Sequence, residues 1–252
     1  MSWSGNQGAH DGLGWAGVKS GGGGAGYHYG WPAGGTSEPN VVAQWIFDEA
    51  SGNIVDEVTG ITLAAVGSPT FTQTVTGLYA GISPGIAYPA STQHSNATPD
   101  ASTYPGTGDF TIEWWASTTT ATNGYTFAWI AAVGAKGVYN NTNFLTGVAA
   151  IAVRSTDSTV VAKNFTMTAG YADGNPHKFR LVCTRAANME LFQDGVSLGT
   201  QALTTLIGKT IEFEGMTLGG FTGSPTFEMD GTLYEWRLSL NATNNSGGPG
   251  GG

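Results

Sequence analysis

From residue 41 onward, short apolar runs alternate with polar breaks rich in Gly, Pro, Asn and Asp. Val41, Ala43, Trp45 and Phe47 fall on one parity, with Val42, Gln44 and Ile46 between them. Similar β-branched or aromatic runs occupy 61–64, 110–114, 126–130, 149–153, 178–185, 189–193, 210–213 and 232–240. A period of two with such breaks predicts strands, and no stretch shows the 3.6 period of an amphipathic helix of three turns. Asn123-Gly124 and Asp194-Gly195 carry hairpin-turn chemistry, because a type I′ turn needs positive φ at both central residues. So many antiparallel strands over 41–242 predict an all-β protein, an antiparallel β-sandwich of jelly-roll type.

The same alternation assigns faces. In 179–183, Phe179, Leu181 and Cys183 share one side and point to the core, with Lys178 and Arg180 opposite. Cys183 then reads as a small buried hydrophobe. Trp114 and Trp115 are consecutive, so one enters the core and the other needs a cover: the N-terminal arm, another subunit or a ligand.

Residues 1–40 break this pattern. They hold the run Gly21-Gly22-Gly23-Gly24, yet Trp3, Trp15, Tyr27, Tyr29 and Trp31 are spaced along them, with His10 and His28. Gly-rich chain by itself reads as a flexible linker. A solubilising linker has little use for three Trp, so the segment is read as an anchoring arm that inserts its aromatics into other subunits. Residues 243–252 form a second Gly-rich stretch.

Composition narrows the partners. The 252 residues carry a formal charge of −9, with only 11% charged residues. Nucleic acid and anionic membrane surfaces require clustered cations and are excluded as partners. The low charge suits burial in an assembly. A single cysteine leaves no internal disulfide framework. No leader with a basic and then an apolar region is expected at the start, and no apolar run approaches a membrane span.

Four stretches of the central segment resemble the laminin-G-like, concanavalin A-like lectin and glucanase jelly rolls. Val42-Ala43-Gln44-Trp45-Ile46-Phe47-Asp48-Glu49-Ala50-Ser51-Gly52 is similar to the family's opening strand. Gly108-Asp109-Phe110-Thr111-Ile112-Glu113-Trp114-Trp115 is similar to its central strand. His177 to Cys183, followed by Met189 to Gly195, is similar to its Asp-Gly hairpin. Met229-Asp230-Gly231-Thr232-Leu233-Tyr234-Glu235-Trp236-Arg237-Leu238 is similar to its closing strand. Pro176 departs from the family, which commonly has Trp before the His. The resemblance covers the 41–242 segment and implies the fold; function sits in sites grafted onto it.

Among the chemistries this resemblance implies, glycoside hydrolysis needs two flanking carboxylates, commonly Glu-x-Asp-x-x-Glu on one strand. Glu212 and Glu214 are the nearest match, but Thr217 stands where the third acid belongs. Asp48-Glu49 and Asp56-Glu57 are adjacent pairs, which diverge in extended chain. His94 and His177 are the only histidines of the central segment, and no Ser has an elbow context. No catalytic residue is assigned, and the protein reads as a non-enzyme. Zinc spacing is absent. Relatives of this fold often hold a calcium ion, for which Asp48, Asp100, Asp109, Asp157, Asp173 and Asp230 are donors to consider, although turn-forming is the commoner use of Asp. Gly21 to Gly26 matches a dinucleotide motif by letter, but no strand precedes it and no helix follows. The Asn-x-Ser/Thr matches at Asn96, Asn140, Asn164, Asn241 and Asn244 are read as chance in a Thr-rich chain.

Sugar binding needs an aromatic to stack and amides or carboxylates to bond hydroxyls. The segment 138–144, with Tyr139, Asn140, Asn141 and Asn143, has this mixture and is read as a glycan-contact loop; 93–96 is a second. The organisation resembles phage head-decoration or fibre proteins that carry such a domain. The leading expectation is therefore a structural protein at a virion surface. It is anchored to shell subunits through 1–40, homo-oligomeric with a trimer favoured, and able to hold a cell-surface glycan. A soluble or extracellular carbohydrate-binding module and a glycosidase are the alternatives.

Overall fold

The computed structural model describes residues 40–73, 84–88, 93–119, 123–129, 136–143, 147–168, 171–220 and 229–240. The arm residues Trp3, Trp15, Tyr27, Tyr29 and Trp31 and the 243–252 tail lie outside the described residues.

Among the described residues the chain forms strands β1 Val41–Trp45, β2 Ile54–Val55, β3 Thr62–Val66, β4 Thr70–Gln73, β5 Gly85–Tyr88 and β6 His94–Ala97. There follow β7 Phe110–Ser117, β8 Asn123–Trp129, β9 Gly137–Asn143, β10 Val148–Arg154 and β11 Val160–Thr166. The last are β12 His177–Cys183, β13 Asn188–Gln193, β14 Val196–Ala202, β15 Met216–Leu218 and β16 Gly231–Leu240. Among the described residues, helical structure is confined to short 3-10 turns at Ala101–Thr103 and Thr204–Leu206. One sheet has the order β14-β13-β12-β7-β16-β5-β4, with β1 also paired to β16; the other runs β11-β10-β9-β8-β15-β6-β3-β2. The pairings are antiparallel, giving the antiparallel β-sandwich that the alternation predicts.

The core forms where the inward parities of the two sheets meet. From the first sheet come Trp45, Ile112, Trp114, Leu181, Trp236 and Leu238; from the second, Leu63, Ile151, Val153, Phe165 and Leu218. Trp114 stacks on Phe179 with ring centroids 5.3 Å apart, and Trp236 tilts against Trp45 at 5.4 Å. Tyr88 of β5 reaches Ser95 of β6 by a 3.0 Å hydrogen bond between the sheets, and burial pushes its phenol pKa up. Trp45, Phe47, Leu181, Cys183 and Leu238 are all buried, as the alternation predicts. Burial also pushes the Cys183 thiol up, so it is no nucleophile at neutral pH.

Two local devices shape the first sheet. Asp194 and Gly195, at φ 51° and 82°, form the two-residue turn between β13 and β14. A bulge in β16 lets Leu233 pair with Ala116 while Glu235 pairs with Trp115, so Tyr234 is the extra residue. Beside the bulge, a Cβ on Gly85 would lie 2.7 Å from the Leu233 carbonyl oxygen, so only glycine lets β5 close there.

The edge strands β11 and β14 meet across the side of the sandwich. Lys163 has the inward parity of Val161 and Phe165, and its ammonium donates to the Thr200 carbonyl of β14 at 2.7 Å. A charge turned inward on an edge strand discourages pairing with another chain.

Several expectations are corrected. Asn123-Gly124 is not a turn: both residues lie in β8, paired with Asn143 and Thr142, and the β7–β8 connection comes earlier. Residues 210–213 form no strand. Ile211 makes one bridge to Gly106, and it and Phe213 are buried because a loop packs there with alternating side chains. The segment 93–96, read as a loop, contributes His94, Ser95 and Asn96 to β6.

Truncating Leu181, fully buried where β12 meets β7 and β13, is expected to cost about 3 kcal/mol in urea unfolding. A loss below about 1 kcal/mol would contradict a packed core at this position.

Candidate outward face of the central sheet

The strands β12, β7, β16 and β1 lie side by side and turn their second parity away from the core. Register aligns Arg180, Glu113, Arg237 and Gln44 in one row, and Lys178, Trp115 and Glu235 in the next. The contacts confirm the shared face. Arg237 Nη2 donates to Glu113 Oε2 at 2.6 Å, Lys178 Nζ lies 3.4 Å from Glu113 Oε1, and Arg180 Nε lies 3.9 Å from it. Gln44 Nε2 donates to Glu235 Oε1 at 2.9 Å, and Ser117 Oγ and Tyr234 Oη bond at 2.9 Å.

Depth differs sharply among these groups. The Glu113 and Arg237 side chains are only 7% and 5% exposed, and Glu235 is 3% exposed. Removing one member of such a buried pair strands the other charge and typically costs about 3–5 kcal/mol. Lys178 and Arg180 protrude, with side chains 25% and 28% exposed. Trp115 is half-buried between them and Glu235; its indole N–H is buried with no acceptor among the described residues. The patch therefore presents part of an aromatic ring beside two cations, above sunken carboxylates. Flat aromatic surface flanked by hydrogen-bonding groups is the equipment for holding a polar ring-shaped ligand.

This face was only half legible in the sequence. Alternation showed that Trp115 opposes Trp114 and that Lys178 and Arg180 share a face. Glu113 and Glu235, 122 positions apart in the chain, are brought together by the β7–β16 register alone.

The segment named as a glycan-contact loop is placed differently. Tyr139, Asn140, Asn141 and Asn143 lie in β9, not in a loop. Asn140 is buried at 1% exposure, out of reach of a sugar, because it shares the inward parity of Val138. Tyr139 is half-buried on the other parity, opposite Ala152. The side chains of Asn141 and Asn143 lie outside the described residues.

The acidic candidates are scattered. Glu214 pairs with Lys136 at 3.3 Å, and Glu212 lies on the irregular segment before β15. Burial pushes the Glu49 carboxyl above its usual range, while its Oε1 accepts from the Val55 N–H at 2.8 Å. Asp56 accepts from the Gln44 and Thr59 N–H groups, tying the loop after β1 to that strand. Of the aspartates considered for calcium, Asp100 caps the first 3-10 turn, and Asp109 accepts the Arg185 N–H at 2.7 Å. Asp157 accepts from Ser155, Thr159 and Lys209, which hold its carboxyl well below the usual range, the lysine most strongly. Asp173 bonds Asn175 and His177. Among the described residues no three metal-ligating side chains converge.

His177 starts β12. Its Nδ1 meets Asp194 Oδ2 at 2.6 Å and its Nε2 meets Asp173 Oδ1 at 3.3 Å. The Asp194 hydrogen bond leads in raising the imidazole pKa above its usual value, against partial desolvation. The imidazolium thus fastens the turn that closes the β12–β13–β14 ladder, next to Lys178.

No family model and no curated protein matches the chain. Solved structures do share its fold. The binding domain of Paraclostridial Mosquitocidal Protein 1 aligns with a TM-score of 0.62 at 10% identity, over 82% of this chain and 50% of that one. The receptor binding domain of botulinum neurotoxin C/D mosaic serotype aligns at 0.60 and 8% identity, over 81% and 49%. The binding domain of Botulinum Neurotoxin DC, in complex with SialylT, aligns at 0.60 and 9% identity, over 82% and 50%. The chain spans about half the length of these structures, and identities this low establish the fold alone.

Because His177 has a raised folded pKa, its contribution to stability is complete below about pH 6.5, the unfolded value, and is lost as pH rises through the folded value. Unfolding midpoints between pH 6 and pH 8 should therefore fall with pH in the wild type and fall less in Asp194→Asn. Equal slopes in the two proteins would remove His177 from this role.

Proposed function

We propose that the chain is a non-catalytic binding module whose outward central face holds a saccharide. The observation that carries this reading is Trp115, half-exposed on a sheet face between Lys178 and Glu235 while its neighbour Trp114 is sealed in the core. Aromatic rings in such positions stack on the apolar face of a sugar, and the surrounding donors and acceptors set its orientation. The fold-sharing structures are described as binding domains, one of them in complex with SialylT, which supports a binding role.

Glycoside hydrolysis is the second reading, and one observation favours it. Glu113 and Glu235 are diagonal neighbours on adjacent antiparallel strands, where Cβ atoms stand roughly 7 Å apart. That spacing is near the range glycosidases use. Against it, Glu113 is held by Arg237 with two further cations close by, and Glu235 is bonded to Gln44. A carboxylate surrounded by cations is a poor proton donor.

The wider setting proposed for the module is the surface of a virion, or an extracellular surface. Residues 1–40 anchor it to shell subunits through Trp3, Trp15, Tyr27, Tyr29 and Trp31, and the assembly is a homo-oligomer, with a trimer favoured. Ordering a Gly-rich segment costs on the order of 1–2 kcal/mol per residue. Aromatics at intervals offset that cost, a few kcal/mol each when buried.

On a glycan array, Trp115→Ala is expected to lose at least tenfold in affinity for every glycan the wild type retains, with a cooperative melt preserved. No polysaccharide should be turned over. Unchanged retention would remove the face from the site, and turnover abolished by Glu113→Gln or Glu235→Gln would transfer the protein to the second reading. Separately, deleting residues 1–36 should abolish incorporation into the partner shell in co-sedimentation; full occupancy by the truncated protein would remove the anchoring role.

A further inference from the structure

We infer that the saccharide is acidic: a sugar ring rests on Trp115 while its carboxylate or sulfate ester sits between Lys178 and Arg180. This inference rests on the binding reading above. Three observations carry it.

The first is depth. The two carboxylates of the patch, Glu113 and Glu235, are nearly sealed, whereas Lys178 and Arg180 are about a quarter exposed. Over the Trp115 ring, an approaching ligand meets Lys178 and Arg180 before Glu113 and Glu235; the more exposed Asp173 and Asp194 lie at the start of β12, around His177. The other acids of the neighbourhood are held by neighbours. Asp194 accepts the Lys178 backbone N–H and the His177 ring, Glu190 accepts from Ser197 Oγ at 2.6 Å, and Asp173 bonds Asn175 and His177.

The second is spacing. Lys178 and Arg180 are two residues apart on one strand and share a face, so their stems rise about 7 Å from one another. A carboxylate or a sulfate ester fits between two such heads and takes charge-assisted hydrogen bonds from both. Lys178 is paired directly with Trp115, which puts the anion beside the stacking ring.

The third is preorganisation. Arg180 lies 6.0 Å from the centroid of the Phe192 ring and 3.9 Å from Glu113, so its guanidinium is oriented before a ligand arrives. A chain of formal charge −9 repels anions in general. Selection for an acidic ligand therefore has to come from a local cationic spot of this kind.

The experiment compares three forms of one oligosaccharide, neutral, terminally sialylated and sulfated, by surface binding to the full chain at 0.15 M and about 1 M NaCl, where the screening length falls to roughly 3 Å. At least one acidic form should bind tenfold or more tighter than the neutral form, and which one identifies carboxylate or sulfate as the anion. The preference should shrink at high salt and fall to about one in the Lys178→Gln/Arg180→Gln double variant, whose fold is checked by its melting curve. If that variant does not fold, the salt dependence of the wild type decides. Neutral and acidic forms binding within twofold of each other, or a preference that survives the double variant or high salt, would overturn the acidic-ligand inference and leave the binding reading standing. Retention of no saccharide at all would overturn both.

Discussion

The stacking of Trp114 on Phe179 and of Trp236 against Trp45 fixes which way the central strands face, and the rest of the molecule follows from it. In a strand, neighbouring side chains take opposite sides, so a one-residue slip exchanges the whole inward set for the outward one. With Trp114, Ile112 and Phe110 sealed inside, Trp115, Glu113 and Thr111 must lie on the outer face. The partners across the ladder follow. Lys178 and Arg180 come from β12, Glu235 and Arg237 from β16, and Gln44 from β1. The Glu113–Arg237 pair then penalises the alternative register, because a slip would turn two charges into an apolar core. Core packing and the polar face therefore specify one another.

How much of this could be read from the chain depends on whether the signal is local. The alternation in 110–115 and 179–183 is local: it places Phe179, Leu181 and Cys183 inside, and it sets Trp114 and Trp115 on opposite sides without saying which is buried. Asp194-Gly195 is local too, and its positive φ values are those its residue types favour. Strands without a clean apolar period carry no such local signal. Gly85–Tyr88 is short, Val196–Ala202 is largely polar, and Gly137–Asn143 is so rich in Asn that it imitates a loop. In that last segment the Asn-rich composition masks the two-residue period of Val138 and Asn140, so a strand reads as a loop. Residues 210–213 misled in the opposite sense: their period is real, but it belongs to a loop pressed on the core. The outward face needed the fold itself, since Glu113 and Glu235 meet only through strand pairing.

Fold alone says little about activity on a sandwich of this kind. What distinguishes this chain is the partition of chemistry between its parts. The described sandwich has its acids tied into turns and ladders, as at Asp100, Asp157 and Asp194, and sets a partly exposed tryptophan beside two cations on one sheet face. The opposite sheet offers Tyr139 beside Ala152 and diagonal to a partly buried Arg154, with Asn140 turned inward. A module that presents one equipped face and leaves attachment to another segment is consistent with the proposed division between binding at 41–242 and anchoring at 1–40.

The central claim is that Trp115 touches the ligand. Nitrogen-edited NMR of the indole N–H signals, assigned with Trp115→Phe, tests it directly during titration with a retained saccharide. The account predicts that the Trp115 resonance moves with saturation while those of the buried Trp45, Trp114 and Trp236 stay within linewidth. A saturable shift confined to residues of the second sheet, with Trp115 unmoved, would contradict it.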